Sequence, residues 1–266
     1  MSNRLQGKIA LITGAGSVGP GWGNGRAMTV RFAQEGAQVY AADIDQSRLD
    51  ETLSYAGDAK SNITTGIVDV MQSTSIERMV ADCIKQFGRI DILVNNVGGS
   101  AKGGPVEMSE EIWDTQVDYN LKSVFLTCKY VLPDMIARNS GAIINMASTS
   151  GMRWTGSAQI AYAATKAGII QFSKVLAVQY AKQSIRVNTI VPGQLHTPMV
   201  ETRLAKQRTG GDVSAILEQR QSRIPLPFMG DGMDTANAAV FLASDEARFI
   251  TGTEIVVDGG MSAKCD

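Results

Sequence analysis

Tyr162 and Lys166, in Ala161-Tyr162-Ala163-Ala164-Thr165-Lys166, are the residues whose types and spacing best suit proton chemistry. Four apart on a helix, their side chains stand on one face, one turn from each other. A phenol with a pKa of about 10 is a poor base at neutral pH. An ammonium held close to it favours the phenolate and lowers that pKa. A shift of about 3 units requires roughly 4 kcal/mol of differential stabilisation, which a close, partly desolvated pair can supply. Tyr162 would then serve as general base towards an alcohol proton, or as general acid towards a carbonyl oxygen. Ser148, in Asn145-Met146-Ala147-Ser148-Thr149-Ser150-Gly151, offers a hydroxyl to fix the same oxygen. Taken alone, a Tyr-x-x-x-Lys spacing is equally a chance pair on an exposed helix, and the rest of the chain has to decide.

Composition narrows the classes of function. The 266 residues are 44% hydrophobic and 19% charged, ordinary globular values that allow one large α/β core. Lys and Arg number 25 against 26 Asp and Glu, which leaves no electrostatic case for nucleic acid or an anionic membrane. Cys83, Cys128 and Cys265 are widely spaced and odd in number, which fits free thiols in a reducing compartment. His196 is the single histidine and no Cys-x-x-Cys or His-x-x-x-His cluster occurs, so no metal site is expected. Met1 to Arg4 pass directly into a strand-like run, too short for a signal peptide. No apolar stretch approaches about 18 residues. These features predict a soluble, cytoplasmic protein.

The elements that must position Tyr162 follow a repeating order. Lys8–Thr13 reads as a buried strand, followed by a glycine-rich loop from Gly14 to Gly25 and a helix from about Arg26 to Glu35. Gln38–Asp43 is a second strand ending in an acid, 18 residues beyond Gly25. Strand, glycine loop, helix, strand and acid form the dinucleotide-binding arrangement. The glycines let backbone approach a pyrophosphate, and the helix N-terminus offers it free N–H groups. Ile63–Val68, Asp91–Asn95, Ala142–Ala147, Arg186–Val191 and Glu254–Val257 read as further strands. Helices are expected over Thr74–Phe87, Glu110–Arg138, Ile160–Lys182 and Asp234–Ala243, with Thr197–Gln221 polar and helical in two pieces. Alternation of this kind implies an α/β fold, a Rossmann-type doubly wound parallel sheet of about seven strands in one domain, 1–266. Asp43, Asp69, Asn96, Ser148 and Pro192 all fall just after strands, so they should converge on the crevice at the strands' carboxyl ends.

With those motifs in order, the chain resembles the short-chain dehydrogenase/reductase family over nearly its whole length. Thr13-Gly14 and Gly23-Asn24-Gly25-Arg26-Ala27 look like its cofactor loop, and Asn95-Asn96-Val97-Gly98 like its Asn-Asn-Ala-Gly motif. Asn120, Ser148, Tyr162 and Lys166 fall on its catalytic tetrad, and Pro192-Gly193 followed by Thr197 on its nicotinamide-side motif. The resemblance implies that Tyr162 transfers the proton and Ser148 orients the substrate oxygen. Lys166 would bind the nicotinamide ribose and lower the Tyr162 pKa, and Asn120 would hold a water in a relay through Lys166. Cofactor contacts are expected from Gly14, Ser17, Gly23, Asn24, Gly25, Asp43, Ile44, Asp69, Val70, Asn96, Gly98, Tyr162, Lys166, Pro192, Gly193, Leu195 and Thr197. One departure stands out: eight residues, Ala15 to Trp22, separate Gly14 from Gly23, where the family has three. Pro20 and Gly21 would interrupt a helix started at Gly19, so Gly23-Asn24-Gly25 is aligned with the helix start.

Asp43 would accept hydrogen bonds from the adenosine ribose hydroxyls and repel a 2′-phosphate, which favours NAD over NADP. No Lys or Arg lies between Gly14 and Gly25, and none directly follows Asp43. Lys102, Arg153, Gln159, His196 and Arg203, with Ser148, are the candidate substrate contacts, and the cations tilt that mouth towards polar or anionic substrates. They could equally sit on surface loops. Residues 198–223 are read as a substrate-covering lid. By family analogy the chain forms a homotetramer. The leading reading is an NAD-dependent secondary-alcohol dehydrogenase acting on a sugar, polyol, hydroxy acid or sulfonate. Its rivals are an NADPH-dependent 3-oxoacyl reductase of the same family and a catalytically silent nucleotide-binding scaffold.

Overall fold

Central strands that are apolar on both faces need cover on both faces, and that requirement shapes this chain. β1 (Ile9–Thr13) and β4 (Ile92–Asn95) are buried at every residue. The structure, a computed structural model, describes residues 3–204 and 210–265. Its other strands are β2 (Gln38–Asp43), β3 (Ile63–Ile67), β5 (Gly141–Met146), β6 (Ile185–Pro192) and β7 (Glu254–Val257). All pair in parallel, in the order β3-β2-β1-β4-β5-β6-β7. The order reverses between β1 and β4, which opens a crevice at their carboxyl ends.

The helices are α1 (Asn24–Gln34), α2 (Gln46–Ser54), α3 (Ser73–Phe87), α4 (Glu110–Val117), α5 (Ser123–Arg138), α6 (Ile160–Tyr180), α7 (Val213–Gln221) and α8 (Gly232–Ala243). One face of the sheet packs Met79 of α3, Val131 and Met135 of α5 and Ile169 of α6 around Leu93 and Ile143. The other packs Met28 and Phe32 of α1 and Val240 of α8 around Ile12 and Val94. The doubly wound α/β architecture expected from the alternation is the one observed.

Three local differences bear on the site. A short helix, α2, follows β2, started by Asp45, whose carboxylate accepts from the Ser47 N–H at 2.9 Å. Only Leu49 and Thr52 of that helix are buried, so it carries almost no apolar period to read. The helical run expected over 110–138 is broken by a π turn at Asp118–Lys122, which contains Asn120. Of the expected lid 198–223, the structure describes a π turn at Val200–Leu204 and α7, while residues 205–209 lie outside the described residues.

Candidate active site

Residues that follow β1 to β6 meet in one cleft of about 320 Å³. On its first side the chain leaves β1 and turns at Gly14, whose φ of +65° suits glycine. A Cβ on Gly25 would lie 1.7 Å from the Gly14 carbonyl oxygen, so α1 can start this close to β1 only with glycine there. Asn96 Nδ2 donates to the same carbonyl at 2.8 Å and locks the turn. Gly23, the N-cap of α1, provides no side-chain cap, which leaves the first-turn N–H groups to an anion. Gly14, Ser17, Gly23, Asn24 and Gly25 all line the cleft. A bare, glycine-walled helix start of this kind fits a dinucleotide pyrophosphate.

At the next end Asp43, only 8% exposed, lines the cleft with one carboxylate oxygen accepting from the Gly16 N–H at 3.0 Å. The other accepts from the Asp45 N–H at 3.3 Å. Ile44, Asp69 and Val70 complete this end, Asp69 holding its own turn by accepting from the Met71 N–H at 2.9 Å. Arg48 of α2 also lines it, with Nε 3.2 Å from the Asp45 carboxylate.

Ser148 follows β5, and its Oγ accepts from the Ser150 N–H at 3.2 Å in a tight turn. Tyr162 stands in the first turn of α6, and both residues line the cleft. Lys166 comes one turn later, 3% exposed, with Nζ 5.6 Å from the Tyr162 ring centre and donating to the Met146 carbonyl at 2.8 Å. Burial lowers its pKa from 10.5 to about 8. A Cβ on Gly98 would lie 2.9 Å from Lys166 Nζ and 3.1 Å from Asn120 Oδ1, so glycine is what lets these two side chains approach one point. Asn120 is fully buried and does not line the cleft. Its Oδ1 accepts from the Gly99 N–H at 3.0 Å, and its Nδ2 donates to the carbonyls of Gly99 and Gln116. It thus ties the loop after β4 to the π turn. Pro192, Gly193 and Thr197 line the cleft beyond Lys166, whereas Leu195 is buried outside it with its carbonyl accepting from Arg220 at 3.1 Å.

The candidate substrate residues divide. Gln159 and Arg203 line the cleft. Lys102, Arg153 and His196 are exposed and do not. Arg153 instead donates to the carbonyls of Ser262 and Lys264 near the chain's end, and His196 Nε2 lies 2.9 Å from Glu201 Oε1. Their cationic character, read from sequence as a tilt of the mouth, is spent on the surface. The cleft that holds Ser148 and Tyr162 is also lined by the hydroxyls and amides of Ser150, Thr155, Gln159 and Gln194, and by Tyr119, Met199 and Leu204. Gln159 Nε2 donates to Ser150 Oγ at 2.8 Å, and the buried Gln194 Oε1 has no hydrogen-bond partner. Among the described residues no group of His, Cys, Asp and Glu is arranged to hold a metal ion.

A family profile described as enoyl-(acyl carrier protein) reductase matches residues 20–262. A solved structure from Burkholderia xenovorans, described as a short-chain dehydrogenase/reductase, is 61% identical and superposes with a TM-score of 0.95 over 99% of both chains. This chain belongs to the short-chain dehydrogenase/reductase family. Among curated relatives, a 3-oxoacyl-(acyl-carrier-protein) reductase of Thermotoga maritima is 40% identical over 97% of this chain and 99% of its own. A 2,5-dichloro-2,5-cyclohexadiene-1,4-diol dehydrogenase of Sphingobium indicum is 37% identical over 98% and 99%. The protein is therefore an oxidoreductase of that family.

Sequence reasoning missed two arginines in this short-chain dehydrogenase/reductase, Arg48 and Arg220, and gave Arg26 of the glycine-loop motif no role of its own. Arg48 and Arg220 line the cleft, and Arg26 is buried behind the glycine loop. Arg220 was the findable one, because it stands four residues after Ile216 on the buried face of α7.

Proposed function

We propose that this enzyme interconverts a secondary alcohol and its carbonyl, on a substrate carrying further hydroxyl or acid groups, with NAD as partner. The observation that carries the reading is the convergence of Ser148, Tyr162 and the buried Lys166 on a cleft whose far end is walled by Gly14, Gly25 and Asp43. When bound there, NAD supplies the nicotinamide carbon that accepts or returns the hydride. The chain's own residues do the rest. Ser148 Oγ and the Tyr162 phenol hold the reacting oxygen, and Tyr162 takes up its proton as the carbonyl forms. Lys166 holds a positive charge one turn below the phenol and offers Nζ to the ribose. Asn120 fixes the loop that shapes the Lys166 pocket. Holding these groups together contributes more than any one of them.

Asp43 supports NAD, because its carboxylate stands at the adenosine end, where a 2′-phosphate would meet a like charge. The polar wall of Ser150, Thr155, Gln159 and Gln194 supports a sugar, polyol or hydroxy acid over an apolar acyl chain. One observation favours a second reading, an NADPH-dependent 3-oxoacyl reductase. Arg48 stands beside Asp43 in the cleft, although the Asp45 carboxylate already holds it. Initial rates with NAD and NADP, on polyols, sugar acids and hydroxy acids against an acetoacetyl thioester, separate the two. Polar alcohols oxidised with NAD support the first, and thioester reduction confined to NADPH overturns it.

A further inference from the structure

The inserted loop between Gly14 and Gly23 has a dedicated support that the chemistry above does not use. Arg26, in the first turn of α1, is fully buried. One of its guanidinium nitrogens donates to the carbonyls of Gly19, at 3.1 Å, and Gly21, at 2.8 Å. Another lies 2.6 Å from the Glu51 carboxylate, and Nε points to Thr52 Oγ1 at 3.4 Å. The guanidinium carbon stands 4.5 Å from the centre of the Tyr55 ring. Tyr55 closes the arrangement from the other side, its hydroxyl accepting from the Gly21 N–H at 2.9 Å, while Trp22 meets its ring edge-on at 5.1 Å. Thr52 Oγ1 also donates to the Ala15 carbonyl at 3.1 Å. The insert therefore rests on three residues of α2 and its end, Glu51, Thr52 and Tyr55, with Arg26 between them and the loop. Its cleft-lining part is Gly16, Ser17 and Val18, whereas Gly19 to Trp22 do not line it, and Gly19 and Gly21 face Pro198.

We propose that Arg26 is a positioning residue for the dinucleotide, acting through the loop carbonyls it holds. The inference rests on the dinucleotide reading above. Two carbonyl oxygens turned onto a guanidinium cannot face a pyrophosphate, where they would repel it. A loop of eight residues, Ala15 to Trp22, rich in glycine, would otherwise have to be ordered when the ligand arrives. Freezing even one backbone residue on binding weakens affinity by about tenfold, so a clamp that orders the insert beforehand shows in the dissociation constant. The hydride-transfer geometry beside Tyr162 lies at the other end of the cleft and does not depend on it.

The test is NADH binding by fluorescence titration, with melting of the unliganded protein, on wild type, Arg26→Lys, Arg26→Met and Tyr55→Phe. Lysine can satisfy one carbonyl but not both together with Glu51, so Arg26→Lys should raise the NADH dissociation constant and the KM for NAD about tenfold, with kcat within about twofold. Tyr55→Phe removes only the acceptor for Gly21 and should raise both about threefold. If Arg26→Met does not fold, Tyr55→Phe and Arg26→Lys still decide. Folded variants that melt lower but bind NADH as wild type does would overturn the inference alone, leaving Arg26 a stabilising residue. Wild-type protein that binds neither NADH nor NADPH would overturn the dinucleotide reading and the inference with it.

Discussion

Lys166 is where the fold and the proposed chemistry pull against each other. Burial lowers its pKa from 10.5 to about 8, and the hydrogen bond to the Met146 carbonyl only partly offsets that loss of water. Between those values the unfolded chain still holds a proton on this group that the folded chain has released, so the Lys166 contribution to stability rises with pH across the window. Below it both states are protonated, and the folded protein carries a buried ammonium at a penalty of about 3 kcal/mol. The buried Cys83 and Cys128 thiols, pushed up to about 12, act in the opposite direction above about pH 9 and do so alike in both proteins, so the comparison with Lys166→Met isolates the lysine. Between about pH 8 and about pH 10 the urea midpoint of the wild type should rise relative to that of Lys166→Met, and equal changes in the two proteins would show that Lys166 is not responsible. At the opposite end of the cleft, Asp43→Ala removes the charge that excludes a 2′-phosphate and should shrink the ratio of NAD to NADP kcat/KM by about tenfold or more. An unchanged ratio would place cofactor choice elsewhere, with Arg48 the first alternative. Tyr162, Lys166, Ser148 and Asp43 could be read from sequence because short-range order locates them: a helical spacing, or the residue just past a strand. Arg26, Arg48 and Arg153 could not. A long cation ends where tertiary neighbours offer acceptors, and its own neighbours in sequence carry no record of that.

At the scale of elements, the inner strands were legible because buried strands are continuous apolar runs, and β2 falls on the expected residues. The edge strand β7, not buried, also falls where expected because Glu254–Val257 is a short β-branched run. Helix α2 was not legible, since a polar helix with two buried residues has no stripe, yet it supplies Arg48, Thr52 and the footing of the inserted loop. The π turn at Asp118–Lys122 was hidden for another reason. The apolar pattern of α5 runs on from it without a break signal, and an extra residue in one turn is set by packing. That turn swings Asn120 into the loop after β4, so a point of chemistry depends on an irregularity invisible in the pattern. The sharpest test at this scale is the junction of β1 and α1. A Cβ on Gly25 would overlap a main-chain carbonyl that cannot rotate aside. Gly25→Ala should therefore destabilise the protein by about 3 kcal/mol or more in urea unfolding. A variant with wild-type stability and NADH affinity would mean that α1 can slide away from β1.

The whole molecule presents apolar side chains that a lone subunit leaves in water. Phe249 is 100% exposed, Val178 79% and Phe125 51%, on the far side of the sheet ends from the glycine loop or along α5 and α6. Sedimentation should accordingly find four chains together, as the family analogy predicts, and Val178→Asp should shift the population towards smaller species. A monomer at micromolar concentration would contradict the tetramer without touching the chemistry. No helix among the described residues is long and apolar enough to cross a membrane. The proposed chemistry needs a phenol, a hydroxyl and a buried amine acting together beside a nicotinamide. NADH formation from a panel of polyols, sugar acids and hydroxy acids, by wild type and Tyr162→Phe side by side, tests it most directly. The expected result is turnover of at least one polar alcohol with NAD, reduced about a thousandfold in Tyr162→Phe while NADH still binds with wild-type affinity. Equal rates in the two proteins would contradict it.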